Sequence, residues 1–85
     1  MNLSNFKNKK VLITGHTGFK GLWLTISLLN LGSKVIGVSL KPNPYQKKLL
    51  NKLKKHKIKN YFFDIENLNK IKKVILQNQP DYIFH

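Results

Sequence analysis

Eighty-five residues hold at most one small domain, near the lower limit of what a single hydrophobic core supports. The chain has no cysteine, which excludes disulfides and thiolate metal sites, and its three histidines, His16, His56 and His85, form no HExxH-like pair. Sixteen lysines against Asp64, Glu66 and Asp81 give a formal net charge of +13, yet no arginine is present for bidentate contacts, so neither nucleic acid nor a membrane is the expected partner.

In chain order, residues 1–10 carry charge but lead into no apolar stretch of signal-peptide length. Lys10-Val-Leu-Ile-Thr14 is a short apolar run ended by Gly15 and predicts a buried strand. Residues 21–31 are apolar nearly all round, and Gly32 is placed to end a helix. Thr25, Ser27 and Asn30 interrupt that stretch, which is too short to span a bilayer; a soluble, cytoplasmic protein is expected. Lys34-Val-Ile-Gly-Val-Ser-Leu40 is β-branched and apolar, a second buried strand. Lys41-Pro-Asn-Pro44 marks a loop.

Residues 45–57 place Tyr45, Leu49, Leu50 and Leu53 on one face and lysines elsewhere, the pattern of a helix lying on a surface. Residues 58–63 predict a third strand, ended by Asp64. Leu68, Ile71, Val74 and Ile75 recur at helical spacing, so residues 67–78 predict a helix capped by Asn67 and stopped by Pro80. Residues 81–85 begin a fourth strand.

Buried strands alternating with helices imply an α/β fold with a parallel sheet. Right-handed crossovers then give strand order 3-2-1-4, the N-terminal half of a Rossmann-type doubly wound sheet. A domain rarely stops on an internal strand with no turn, helix or polar tail behind it. Residues 1–85 are therefore expected to be the N-terminal part of an NAD(P)-binding domain, whose remainder follows together with a substrate domain.

Between the first strand and the first helix stands Thr14-Gly-His-Thr-Gly-Phe-Lys-Gly21. In this fold that loop lies at the carboxyl edge of the sheet and opens a helix whose first amides lack partners, a ready seat for a pyrophosphate. Gly15 is expected to allow the tight turn, Gly18 to remove a side chain that would block the diphosphate, and Gly21 to let the helix approach the strand. The spacing is G-x-x-G-x-x-G, and no Ser or Thr follows Lys20 as a Walker-type phosphate loop requires.

The tip of the second strand reads Ser39-Leu40-Lys41, without the acid that holds the adenosine ribose in many NAD binders. Lys41 is there either for a 2′-phosphate or as a solvated loop lysine. At the tip of the third strand, Asp64 and Ile65 either contact adenine or, for Asp64, serve the start of the next helix.

These residues resemble the extended short-chain dehydrogenase/reductase family, most of whose members act on sugar nucleotides. Within it, residues 14–21 followed by Leu22-Trp-Leu24 are similar to the CDP-glucose 4,6-dehydratase branch; epimerases of the family usually have Ile where Lys20 stands. The resemblance implies that Gly15, Thr17, Gly18, Phe19, Lys20 and Gly21 line the pyrophosphate of NAD, that His16 lies in the same loop within reach of a cofactor hydroxyl or phosphate, and that Asp64 and Ile65 meet the adenine. It also implies a CDP-glucose substrate, a homo-oligomer at full length, and a Tyr-x-x-x-Lys acid–base pair. No such pair is present: four residues after Tyr45 stands Leu49, and four after Tyr61 stands Ile65. No residue of these 85 is expected to be catalytic.

Overall fold

The computed structural model describes residues 3–53, 56 and 58–85. Four strands, β1 (Lys10–Thr14), β2 (Lys34–Ser39), β3 (Ile58–Phe62) and β4 (Tyr82–Phe84), alternate with three helices, α1 (Phe19–Asn30), α2 (Pro44–Lys52) and α3 (Leu68–Asn78). All strand pairs are parallel and the sheet order is β3-β2-β1-β4, as the alternating pattern predicts. Val11 pairs with both Val35 and Tyr82, so β1 is central and its tip is flanked by the tips of β2 and β4.

The two faces of the sheet bury separate apolar sets, because successive strand residues point to opposite sides. Val11, Ile13 and Val35 meet Leu28 and Leu29 of α1, with Leu53 and Ile58 packed alongside. Leu12, Ile36 and Val38 meet Val74 of α3, flanked by Ile71 and Ile75. Helices on both faces explain why β1 and β2 read as continuous apolar runs rather than as alternating ones.

Two helix boundaries, one side chain and one short turn differ from expectation. α1 starts at Phe19, two residues before the expected Gly21, with Gly18 as its N-cap. α2 ends at Lys52, with Leu53 as its C-cap; of the expected tail, residues 54, 55 and 57 lie outside the described residues. Tyr45, placed by periodicity on the apolar face, stands in the first turn of α2 and is 70% exposed. A short 3-10 turn, Leu3–Phe6, was not expected; it inserts Phe6 beneath α1, where Ser33 Oγ donates to the Phe6 carbonyl at 2.7 Å.

Candidate functional site

The turn after β1 is fixed by its backbone. Gly15 has φ +74°, a conformation that side chains disfavour, and its N–H donates to the Val38 carbonyl at 2.7 Å. The Gly18 N–H returns to the Gly15 carbonyl at 3.1 Å, closing the turn under the start of α1. A Cβ on Gly21 would stand 2.8 Å from the carbonyl carbon of Gly15 and 2.9 Å from Cα of His16. The helix therefore rests directly on the turn, and only a glycine at 21 allows that contact.

Gly18 is different. Its φ of −72° suits any residue, and a Cβ there would meet a single atom within 4 Å, the Gly15 oxygen at 3.5 Å. Neither the conformation nor the packing of the chain calls for glycine at 18. The side chain would instead fill the space above the turn.

That space is a groove of about 450 Å³ lined by Gly15, Thr17 and Gly18 on the β1 side, Ser39, Leu40 and Lys41 at the tip of β2, and Asp64 and Ile65 after β3. Asn43 and Gln46 of the α2 start complete it. The groove joins the three strand tips that the sequence singles out, along the carboxyl edge of the sheet where ligands of open α/β folds bind.

At the start of α1, Gly18 offers no side-chain cap and the first turn carries no acid. The amides of Phe19, Lys20 and Gly21 thus meet the helix dipole with no acceptor supplied by a cap. Asp64 is partly committed: Oδ1 accepts from the Glu66 N–H at 2.9 Å and the Asp64 carbonyl accepts from Asn67 N–H at 2.9 Å. Asp64 and the half-buried Ile65, which also packs against the core, both line the groove. Asp64 therefore serves the entry to α3 and also lines the groove.

His16 departs from expectation. Rather than offering its ring to a phosphate, it is 0% exposed and folds beneath the turn, where its Nε2 lies 2.7 Å from Asn60 Oδ1 and its ring stacks on Phe62 at 6.1 Å. Burial pushes its pKa below the ordinary histidine value, against weaker upward pulls from Asn60 and the Val38 backbone. Phe19 turns to solvent, 81% exposed. Lys20 and Gly21 border a second hollow, of about 260 Å³, with Thr14, Leu24, Phe84 and His85. There Thr14 Oγ1 lies 3.0 Å from Nδ1 of His85, which ties the β1 and β4 tips together. Sequence reasoning missed Asn43 and Gln46 as groove residues and Asn60 as the partner of His16; Gly37, in the middle of β2, was the available signal for the last.

Among the described residues no cluster of side chains could hold a metal ion, and no helix is long and apolar enough to cross a membrane.

Comparison with known proteins agrees with this geometry. A model of the NAD dependent epimerase/dehydratase family matches residues 11–85. The chain is 33% identical over 84 residues to CDP-glucose 4,6-dehydratase of Salmonella typhimurium, covering 94% of this chain and 22% of that protein. The epimerase Mth375 of Methanothermobacter thermautotrophicus superimposes with a TM-score of 0.76 at 26% identity, over 98% of this chain and 24% of that one. The Cj0485 dehydrogenase gives 0.68 at 26% identity, over 93% and 31%. The chain thus spans about a quarter of the length of these relatives. With the glycine turn, the parallel sheet in order 3-2-1-4 and a family match across nearly its whole length, the chain belongs to the NAD-dependent epimerase/dehydratase family.

Proposed function

We propose that these residues are the first part of the NAD-binding domain of a cytoplasmic nucleotide-sugar 4,6-dehydratase that converts CDP-glucose to CDP-4-keto-6-deoxyglucose. The observation that carries the dinucleotide reading is the site at Gly18, where a side chain would fill open groove rather than strike protein. The amides of Phe19, Lys20 and Gly21, with the bare main chain at Gly18, would hold the diphosphate by charge-assisted hydrogen bonds. Thr17 would close that end of the groove, and Asp64 with Ile65 would receive the adenine. NAD, when bound, supplies a hydride acceptor. This chain's part is to grip and orient it; proton transfer belongs to a Tyr-x-x-x-Lys pair that these residues do not contain.

The choice of CDP-glucose is supported by Phe19-Lys20-Gly21 with Trp23 and by the identity to the Salmonella dehydratase. An epimerase of the same family is the second reading, favoured by the structural likeness to Mth375. Incubating the full-length protein with NAD and CDP-glucose separates the two. Formation of the 4-keto-6-deoxy product supports the dehydratase. Inversion of a sugar-nucleotide hydroxyl without loss of water favours the epimerase, and a failure to bind NAD would contradict both.

A further inference from the structure

We propose that His16 is a positioning residue whose imidazole latches the glycine turn to β2 and β3, and so sets the backbone of Gly15, Thr17 and Gly18 for the dinucleotide. The proposal rests on the NAD reading above for its consequence, and on the packing of the ring for its substance. The ring occupies a slot made for it. Gly37 stands in the middle of β2, and any Cβ there would collide with the imidazole. A glycine inside a buried strand weakens it, so its presence calls for a close neighbour, and His16 is that neighbour. Asn60 is the register partner of Gly37 on β3, which puts its amide beside the ring, 2.7 Å from Nε2. Phe62, two residues on and on the same face, covers the imidazole nearly parallel, at 11°. One side chain from the turn therefore touches two strands, while Gly15 and Thr17, its chain neighbours, line the groove.

The latch works in one charge state. With Asn60 Oδ1 accepting, Nε2 carries the proton and Nδ1 keeps its lone pair; Nδ1 has no hydrogen-bond partner among the described residues. The groups facing the ring are neutral: Gly37 and the Val38 backbone on β2, Asn60 and Phe62 on β3. The bases Lys41, Lys47 and His56 border the neighbouring hollow that Asn60 and Phe62 also line, and no carboxylate lines it. A second proton on the ring would place a buried charge with no carboxylate beside it, a cost that the Asn60 and Val38 acceptors offset only in part, and the ring would leave the slot. The turn would then lose its only side-chain tie to β3 among the described hydrogen bonds.

The experiment is NAD titration of the full-length protein across pH, for the wild type and His16→Gln, with amide NMR of Gly15, Thr17 and Gly18 alongside. Wild-type affinity is expected to fall about tenfold between about pH 8 and about pH 5.5, and those amides are expected to shift together with the imidazole. His16→Gln should bind more weakly at the higher pH and give a flat profile. Parallel profiles for the two proteins, or turn amides indifferent to the ring, would overturn the latch. Should His16→Gln fail to fold, Gly37→Ala replaces it: a folded protein with weakened NAD binding upholds the proposal, and unchanged binding refutes it. A wild type that binds no NAD at any pH removes the nucleotide reading alone, since the amide shifts still judge the latch.

Discussion

The three helices begin in two ways. α2 starts with a capping box, in which Asn43 Oδ1 accepts from the Gln46 N–H at 2.8 Å and Gln46 Oε1 accepts from the Asn43 N–H at 3.0 Å. α3 starts with Asn67, whose side chain accepts from the Lys70 N–H at 3.2 Å. α1 starts with Gly18 and has no side-chain cap. Two of the helices satisfy a first-turn amide with a side chain of their own cap, and the third, which starts at the Gly18 wall of the groove, does not. A cap contributes about 1 kcal/mol of stability, so its omission from the most deeply packed helix points to an outside acceptor.

The largest effect in this comparison is expected at Gly21. Gly21→Ala drives a methyl group into the Gly15 carbonyl, where only backbone can yield, and should cost about 3 kcal/mol and displace α1 from the turn. Denaturant unfolding of the full-length protein measures it; a loss below about 1 kcal/mol would mean that the helix does not rest on the turn as described. Gly18→Val should do the reverse. It should abolish NAD binding while changing stability by less than about 1 kcal/mol, because its side chain enters open groove. Calorimetric titration that finds NAD binding intact would remove the turn from the site.

At the capped end of the comparison, Asn67→Ala should lower stability by about 1 kcal/mol and leave NAD affinity unchanged. Equal damage to stability from a variant at 18 and one at 67 would erase the distinction between bare and capped helix starts. The smallest effect concerns acid. An unfolded histidine titrates near 6.5 and folded His16 below it, so the unfolded chain takes up the proton first. The contribution of His16 is fully present above that pH and is lost as pH falls below it; thermal unfolding of wild type against His16→Gln should show the two curves converging in acid.

Much of the fold was legible because its signals are periodic and repeated. β1 and β2 are buried on both sides, so their apolar runs name them; Ile71, Val74 and Ile75 reach the sheet at helical spacing and fix the covered face of α3. Asn67 and Pro80 punctuate that helix at both ends, and Gln79 takes the left-handed conformation between them, φ 47°. What escaped was aperiodic. Four residues of 3-10 turn show no period, so Phe6 gave no sign of its place in the core. Lysines beyond Leu50 fit a helix and a turn equally well, so the end of α2 was read too late.

The turn at Gly15 and the close approach at Gly21 followed from their order after a strand and before a helix. The direction of His16 did not, since a loop residue has no alternation to orient it. One clue was present all the same: Gly37 interrupts a β-branched strand, and a gap in a buried strand has to be filled from somewhere. The turn supplied the filler.

The most direct test is a crystal structure of the full-length protein with NAD. The diphosphate is expected against the amides of Phe19, Lys20 and Gly21, over the bare main chain of Gly18, with the adenine beside Asp64 and Ile65. A diphosphate seated away from the start of α1, with those amides facing solvent, would contradict the account.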